Sequence, residues 1–366
     1  MQFVTRLLTD KSDIGNTRQD ESALAPLAAD EALLQVDEFA LTANNLTYAA
    51  FGEAMRYWNF FPSGEDDWGM MPVWGFATVL QSNVPEVKVG ERYYGYLPMA
   101  SVLRVKPGRF NERGFYDDVA YRRTLPSPYQ HYVHCDSDPA YLPALSDYLM
   151  LLRPLFFTSY MLADFLMDQK FFGAEQLIIS SASSKTAYGT AFCFKDQPAT
   201  PALIGLTSPR NMDYLAKLGL YNKACPYNEL THLDPTRRTL YVDFSGDEAL
   251  RQNIHAHFKG SLVYDCYAGS ATNTEFLKDV EQYDPQPQQY FAPVQIKKRN
   301  KDWGREELIR RYAIAQEAFL TAVADPQRAW MQLEVGEGLD EAAQVIRKLK
   351  DSGGRPQDGY VIRLPR

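Results

Sequence analysis

A run of small residues near the middle of the chain could bind a phosphate group. Residues 177–179, Leu-Ile-Ile, predict a buried strand, and a helix is predicted from Lys185 to about Lys195. The sequence Ser-Ser-Ala-Ser-Ser lies between them. A strand, a tight turn and a helix N-terminus direct free backbone amides and the positive end of the helix dipole at one point, where dinucleotide-binding folds hold a pyrophosphate. The candidate residues of this phosphate site are Ser181, Ser183, Ser184, Lys185 and Thr186.

The segment after the next predicted strand, residues 201–206, carries groups that could bind a further phosphate. It reads Thr-Ser-Pro-Arg-Asn, and its candidate residues are Thr207, Ser208, Arg210 and Asn211. An Asp or Glu at this position would hold the adenosine ribose of NAD, whereas neutral and basic residues accept the 2′-phosphate of NADP. Arginine can bind a phosphate through two parallel hydrogen bonds. The pattern favours NADP(H) over NAD(H), and the alternative is a helix cap with a solvated arginine.

Nucleoside triphosphate binding and hydrolase chemistry fit the sequence less well. A triphosphate-binding loop would need glycines where Ile179 and Ser184 stand. No Gly-x-Ser-x-Gly sequence occurs, and no histidine follows the sheet in the order that a hydrolase triad requires. His232, His255 and His257 are therefore expected to be solvated.

A zinc site is a weaker alternative on the predicted strand 130–135. His131, His134 and Cys135 are residue types that bind zinc. Neighbouring strand residues face opposite sides of a sheet, so His134 and Cys135 do not readily share one ion. Solvated strand residues are the favoured interpretation.

Strands and helices must position the phosphate-binding groups, and from about residue 145 the two alternate. Such alternation with short connections predicts a parallel sheet covered by helices on both faces. Tyr264, on a later strand, would border the nicotinamide. The predicted elements are an apolar helix over 153–167, strands over 177–179, 201–206, 239–244 and 261–264, and a closing helix over 305–323 followed by strand, helix and strand over 330–364.

The first half of the chain is predicted to be rich in strands. Residues 32–39 give the clearest strand, and a turn and short helix follow over 40–52. The segment 57–74 is dense in aromatic residues and is expected to be core, the alternative being one wall of an apolar cleft. Residues 106–128 are polar and predict a long surface insertion.

Composition limits the class of protein. The 366 residues allow two domains, and a net charge of −8 argues against broad binding to nucleic acid, which needs a basic face. No apolar run approaches the roughly 20 residues of a membrane span, and the polar N-terminal sequence does not fit a signal peptide. The four cysteines stand singly, which favours free thiols in a reducing compartment. We expect a cytoplasmic protein with no membrane partner.

Several short motifs, in order along nearly the whole chain, resemble the medium-chain dehydrogenase/reductase superfamily, specifically its zinc-free quinone and enoyl reductase branch. The sequence looks closest to a group of unknown function within it. The motifs are 40–46 Ala-Leu-Thr-Ala-Asn-Asn-Leu, 72–77 Pro-Val-Trp-Gly-Phe-Ala, 89–93 Val-Gly-Glu-Arg-Tyr, the loop at 177–189, and 214–219 Tyr-Leu-Ala-Lys-Leu-Gly followed by Tyr227.

The resemblance implies site residues and also shows departures. The zinc ligands of the alcohol dehydrogenases fall on Thr42 and Trp74, so metal-assisted oxidation is not expected. The three glycines of the phosphate loop are replaced by Ser181, Ser184 and Ala187. A serine in a turn that needs a positive φ costs roughly 1 kcal/mol. The cofactor-binding residues that the resemblance adds or supports include Asn211 and Tyr227.

These observations predict an α/β protein with a Rossmann-like parallel-sheet cofactor domain and a strand-rich GroES-like catalytic domain completed by the C-terminus. The predicted boundaries are 1–147, 148–300 and 301–366. The predicted function is metal-free, NADP(H)-dependent hydride transfer to an activated alkene, quinone or carbonyl, with Thr42, Asn45 and Tyr48 as candidate catalytic residues. The alternative is a degenerate reductase fold that binds a partner without hydride transfer. The resemblance also implies a homodimer, and the substrate would be a small molecule.

Overall fold

The computed structural model describes residues 3–269 and 280–365, and the chain folds into two compact units. Unit 1 comprises residues 1–151 and 331–366, and unit 2 comprises residues 152–330. The strands of the described residues are β1 (Phe3–Asp10), β2 (Thr17–Ala23), β3 (Ala32–Leu41), β4 (Trp68–Gly69), β5 (Pro72–Ser82), β6 (Arg92–Pro98), β7 (Val102–Val105), β8 (Pro107–Asn111), β9 (Gly114–Asp117), β10 (His131–His134), β11 (Gln176–Ile179), β12 (Ala202–Thr207), β13 (Lys223–Pro226), β14 (Thr239–Asp243), β15 (Leu262–Tyr267), β16 (Gln288–Gln289), β17 (Gln332–Glu337) and β18 (Asp358–Arg363). The α-helices are α1 (Ala43–Ala50), α2 (Ser146–Asp168), α3 (Lys185–Cys193), α4 (Met212–Leu218), α5 (Glu248–Phe258), α6 (Ala292–Asp302), α7 (Arg305–Ala324) and α8 (Gly338–Ser352).

Unit 1 is built on a large mixed sheet. Its strand order is β17-β18-β3-β5-β6-β10-β9-β8, with β7 also paired to β3, and a smaller sheet has the order β2-β1-β4. The C-terminal strand β18 pairs antiparallel with β3, so the end of the chain completes the sheet that the N-terminal half begins. The core lies between this sheet and the helices α1 and α8, whose buried apolar residues join one cluster with those of the strands.

The polar segment 106–128 is not a surface insertion, and that prediction is wrong. Its first half forms the antiparallel pair β8–β9, which continues the large sheet beyond β10. Arg122 is fully buried and its Nη1 lies 2.8 Å from Asp117 Oδ2. The aromatic and methionine residues of the segment 57–74 are largely buried, as the core interpretation predicted, among them Tyr57, Phe60 and Met71.

Unit 2 contains a six-stranded parallel sheet of order β13-β12-β11-β14-β15-β16. The order reverses between β11 and β14, which is where doubly wound folds bind nucleotides. Alternate side chains of β11 enter different cores, Leu177 and Ile179 on one face and Ile178 on the other. Burial on both faces explains why this strand is apolar at successive positions. The predicted fold class, a Rossmann-like parallel-sheet domain with a strand-rich GroES-like domain completed by the C-terminus, is confirmed.

The apolar helix α2 begins at Ser146, earlier than the predicted residue 153. Pro154 lies inside it, and the helix continues on both sides of the proline. In the described chain, the helical stretch Pro143–Asp168 is the one helix long and apolar enough to cross a membrane by length and composition, and 67% of its apolar window is buried inside the protein. Burial of that extent is what a core helix shows.

The unit boundaries differ from the predicted ones because of α7. The prediction assigned residues 301–330 to the unit that contains the C-terminal strands, whereas the structure places them in unit 2. Helix α7 packs on α2, where the rings of Phe156 and Phe319 stack with centroids 4.2 Å apart. The Tyr312 hydroxyl donates to the Arg153 carbonyl at 3.4 Å.

Candidate functional site

The loop between β11 and α3 carries serines at two of the glycine positions of a dinucleotide loop. Ser181 stands at the first glycine position and has a φ of +46°, the left-handed region that L-residues seldom occupy. The amide of Ser181 donates to the Tyr227 hydroxyl at 2.9 Å. The Tyr227 phenol therefore holds the strained residue in place, and burial raises the pKa of that phenol above its ordinary value.

The second loop serine replaces a glycine without strain. Ser184 has a φ of −71°, so this position does not require a glycine. It is the N-cap of α3, and its Oγ accepts from the Ala187 amide at 3.4 Å. Serine is among the preferred residues at such a cap. The close helix packing that a glycine permits occurs instead at Gly189, where an added Cβ would lie 2.8 Å from Ser159 Oγ.

The hydroxyl groups of the loop and of the end of β12 lie together. Ser183 Oγ lies 3.2 Å from Thr207 Oγ1 and accepts from Asn211 Nδ2 at 3.1 Å. The same Asn211 amide donates to Ser208 Oγ at 3.1 Å. Arg210 is exposed beside them. The structure thus brings the predicted phosphate residues of two separate segments into one cluster of donors.

The mouth of the loop contains backbone donors as well. Lys185 and Thr186 form the first turn of α3 and are half-buried. In the part of the chain that the structure describes, the amides of Ser183 and Thr186 donate to no protein acceptor. Two amides and the positive end of a nine-residue helix are groups that suit a phosphate oxygen, and the cofactor-binding role of this loop stays a prediction.

A buried network of hydrogen bonds and ion pairs holds Ser180, the residue at the start of the loop. Ser180 Oγ donates to Asp243 Oδ1 at 2.7 Å and accepts from the amide of Phe244 at 2.9 Å. This ties the end of β11 to the end of β14. The other oxygen of Asp243 lies 2.7 Å from Arg251 Nη2. The Nε of the same arginine lies 3.0 Å from Asp265 Oδ2. Asp243, Arg251 and Asp265 are all at most 1% exposed.

His255 belongs to this network, so the expectation that it is solvated is wrong. Its Nε2 lies 2.9 Å from Asp265 Oδ2, and its side chain is 9% exposed. The sequence contained one signal for the network, since Asp243 lies on a predicted core strand and Asp265 directly follows another, and a buried acid needs a partner. The spacing of Arg251 and His255, four residues apart on one helix, is consistent with both facing those acids.

Tyr264 lies on β15, and that strand continues to Tyr267, three residues beyond its predicted end. Its ring stacks on Phe172 with centroids 3.8 Å apart. Burial raises the pKa of Tyr264 to about 12. The stacked ring gives Tyr264 a packing role, and its contact with a nicotinamide stays a prediction.

The three candidate catalytic residues lie close together in unit 1. Thr42 is the N-cap of α1 and its Oγ1 accepts from the Asn44 amide at 3.2 Å, while Asn45 Oδ1 accepts from the Thr42 amide at 2.9 Å. This reciprocal pair is a capping box. Tyr48 lies one turn further, and its hydroxyl accepts from Trp74 Nε1 at 3.2 Å.

Among the described residues, no group of three or more His, Cys, Asp and Glu side chains is arranged to hold a metal ion. His131 Nε2 lies 3.2 Å from Asn111 Nδ2, and His134 Nδ1 lies 3.1 Å from Ser137 Oγ. Cys135 is buried. The two histidines that a zinc site would use therefore contact Asn111 and Ser137.

Comparison with solved structures identifies proteins of the same fold. CurA from Vibrio vulnificus, solved also in complex with NADPH, is 13% identical, with 99% of each chain covered and a TM-score of 0.54. A quinone oxidoreductase from Coxiella burnetii is 12% identical over all of both chains, with a TM-score of 0.54. The yhdH oxidoreductase from Salmonella enterica, solved in complex with NADP, is 15% identical over 99% of this chain and 100% of its own, with a TM-score of 0.53. At these identities the likeness shows the fold.

A search of curated proteins found no match to the chain. The model of one protein family, described as "Protein of unknown function (DUF2855)", matches residues 39–354. That match runs through both units of the structure. The chain therefore belongs to the DUF2855 family, and its fold is that of the medium-chain dehydrogenases and reductases.

Proposed function

We propose that the protein is an NADP(H)-dependent, metal-free oxidoreductase that transfers hydride to an activated alkene, quinone or carbonyl compound. The observation that carries the proposal is the cluster of donors formed by the β11–α3 loop and the end of β12. An acid that would hold the ribose of NAD is missing from the segment Thr207–Asn211, whose polar side chains are hydroxyls, an amide and a guanidinium. Solved proteins of this fold include complexes with NADPH and with NADP.

The residues present fit such a cofactor at two places. The amides of Ser183 and Thr186 at the start of α3 suit the pyrophosphate oxygens, and Ser181, Ser184 and Lys185 surround them. Arg210 is exposed and suits the 2′-phosphate of the adenosine ribose, with Thr207, Ser208 and Asn211 at its side. Tyr227 would lie near the pyrophosphate through its bond to Ser181. When bound, the cofactor supplies the hydride, and the protein chain supplies position and electrostatics.

The chain's own residues also suit the other half of the reaction. Burial raises the pKa of Tyr48 well above that of a free phenol, so its hydroxyl stays protonated and can donate to an oxygen that gains charge. Asn45 and Thr42 fix the helix that carries it. Thr42 and Trp74, at the positions of zinc ligands in related alcohol dehydrogenases, already use their side chains in hydrogen bonds within the protein. This supports a reaction without zinc.

Titration with NADPH and with NADH, followed by nicotinamide fluorescence, tests the proposal. NADPH should bind at least tenfold more tightly than NADH, because Arg210 adds a charge-assisted bond to the extra phosphate. Arg210→Ala should remove most of that preference. Arg305→Ala is the matched control, since Arg305 is an exposed arginine on α7, and it should leave both affinities unchanged. Equal weakening of NADPH and NADH by Arg210→Ala would contradict the assigned contact.

A degenerate protein without hydride transfer is the second candidate. The observation in its favour is that the Ser181 amide and the Ser183 hydroxyl both have partners within the protein. Absence of binding of either nicotinamide at millimolar concentration would support this candidate and overturn the first. Tyr227→Phe sharpens the comparison. If the phenol competes with a phosphate oxygen for the Ser181 amide, the variant should bind NADPH more tightly than the parent protein.

The cellular location and the oligomeric state of the protein belong to the same proposal. We infer a cytoplasmic protein, supported by four free cysteines in the sequence. We also infer a homodimer, on the resemblance alone, which light scattering after gel filtration tests directly. A monomer at micromolar concentration would overturn the second inference and leave the assigned chemistry untouched.

A further inference from the structure

Strand β17 forms one edge of the large sheet of unit 1. It runs from Gln332 to Glu337, pairs in parallel with β18 on one side, and stands at the end of the strand order. The amide of Gln332 donates to the Gln357 carbonyl at 2.8 Å, which assigns the even-numbered residues of β17 to the bonds with β18. Leu333, Val335 and Glu337 therefore direct their backbone groups away from the sheet.

The outward row of backbone groups has no partner among the described residues. The row consists of the N–H and C=O groups of Leu333 and Val335 and the N–H group of Glu337. The Glu337 carbonyl is not part of it, because Glu337 is the N-cap of α8 and its C=O accepts the first bond of that helix. Val335 is 48% exposed, so the row is open to solvent. An exposed row of this kind is a template for pairing with another strand.

The strands at the other ends of the described sheets suit such pairing less well. Strand β8 begins with Pro107 and has an irregular register around Arg109, whose φ is +45°. Strands β4 and β16 have two residues each, and β13 has four and ends in Pro226. The midpoint of β2 is Asp20, so a symmetric antiparallel pair of β2 strands would set two aspartates against each other. Strand β17 has no proline, bulge or central charge.

The sequence of β17 is complementary to itself in an antiparallel pair centred on Val335. In that pair Val335 faces its own copy and exchanges both backbone bonds with it. Leu333 faces Glu337, and each Glu337 amide can donate to the Leu333 carbonyl of the other copy. Glu334 faces Gly336. No acid lies opposite an acid, so the repulsion between like charges that destabilises strand pairs is avoided.

The side chains on both faces of β17 also fit this pairing. Val335 lies beside Val361 of β18, whose side chain is fully buried, so the apolar surface of the sheet continues to its edge. The valine of a second copy would cover that surface, and β-branched residues pack well across strands. On the other face, Glu334 pairs with Lys348 of α8 at 2.9 Å. Its charge is therefore balanced within its own copy.

We propose that β17 pairs antiparallel with β17 of a second copy of the chain, about a two-fold axis at Val335, so that the sheet of unit 1 continues from one copy into the other. The pairing gives a defined surface to the homodimer inferred above. It belongs to unit 1 alone and does not depend on the proposed reductase activity. Main-chain bonds between the two edges supply affinity, and one self-complementary edge is what a two-fold interface requires.

Light scattering after gel filtration measures the assembly, and Val335→Lys tests the axis. The parent protein should have twice the chain mass of 41.7 kDa. Two ammonium groups that face each other across the axis should weaken the dimer at least about tenfold, so that Val335→Lys elutes as a monomer where the parent protein is a dimer. Val89→Lys is the matched control, because Val89 is a 66% exposed valine of unit 1 outside the strands, and this variant should stay dimeric.

Val335→Cys tests the geometry of the pairing. Directly opposite residues that exchange backbone bonds in an antiparallel pair have Cα atoms about 5.5 Å apart, a separation that a disulfide spans. Mild oxidation should therefore convert Val335→Cys to a covalent dimer on a non-reducing gel. Val89→Cys should remain a single chain on the same gel.

The outcomes separate this inference from the proposed function. A monomeric parent protein at high micromolar concentration would overturn the pairing and leave the edge to a strand of another protein. A dimer that persists in Val335→Lys, without a cross-link in Val335→Cys, would overturn it as well and place the interface elsewhere. Val335→Lys should bind NADPH as tightly as the parent protein does. A cross-link in Val335→Cys without NADPH binding by the parent protein would retain the interface and reject the reductase.

Discussion

Replacement of the buried Arg251 by methionine offers the sharpest test of the network behind the phosphate loop. The arginine is 1% exposed and contacts two carboxylates, Asp243 at 2.7 Å and Asp265 at 3.0 Å. Both acids are fully buried. Methionine keeps the apolar stem but removes the cation that faces both acids. Removing one partner of a buried ion pair typically costs about 3–5 kcal/mol, a large part of the roughly 5–15 kcal/mol that stabilises a domain.

The origin of this loss can be tested by a second substitution. Asp265→Asn removes one of the two charges that Arg251→Met exposes to a low-dielectric interior. The double variant should therefore lose at least about 1 kcal/mol less than the sum of the single variants. Arg305→Met is the matched control, because Arg305 is an exposed arginine at the start of α7. Its unfolding midpoint should stay close to that of the parent protein.

Urea unfolding followed by far-ultraviolet circular dichroism measures both effects. Midpoints are compared among variants with equal slopes, so that differences report stability. A loss below about 1 kcal/mol for Arg251→Met would show that water or a rearranged side chain compensates the acids, contrary to the burial described here. The same variant should weaken NADPH binding, because Asp243 also holds Ser180 at the base of the loop. Weaker binding without loss of stability would place Arg251 at the cofactor instead.

Three further predictions concern other parts of the chain. Arg310 and Arg311 lower the pKa of Glu307 from 4.5 to about 2. An acid whose pKa is lower in the folded protein than in the unfolded chain stabilises the fold at a pH above the unfolded-state pKa. That contribution is lost as the pH falls through the folded-state pKa. Glu307→Gln should therefore flatten the profile of melting temperature against pH between 4.5 and about 2, and Glu306→Gln should not. Gly75→Ala should destabilise unit 1 by about 1–3 kcal/mol or more, because the added Cβ would lie 2.2 Å from the Glu38 carbonyl oxygen. Gly260→Ala is the control, since open space surrounds Gly260, and its thermal unfolding should be nearly unchanged. Burial raises the pKa of the Cys266 thiol, so a thiol-reactive disulfide reagent should label Cys266 in minutes only after denaturant is added; rapid labelling of Cys266 in the native protein would contradict that burial.

Local sequence patterns predicted the secondary structure well where a strand is buried on both faces or where apolar residues recur at helical spacing. The apolar run at β11 and the helix that begins at Lys185 depend on neighbours in sequence, and the predicted elements agree with the structure within two residues. Two failures have a common cause. The segment 106–128 and His255 were judged by polarity, and polar groups become buried when partners distant in sequence satisfy them. The assignment of α7 failed because its partner, α2, lies about 150 residues earlier in the chain.

The sequence by itself determined the fold class and the position of the candidate phosphate loop. A strand, a small-residue turn and a capped helix are set by contiguous residues, and an acid is visibly missing after the following strand. Only the tertiary structure decided which contacts hold that loop in place without glycines. Tyr227 meets the Ser181 amide, Asn211 meets Ser183, and Asp243 meets Ser180, each across 28 to 63 residues of chain. Long-range contacts of this kind arise from sheet order and packing, which no local pattern encodes.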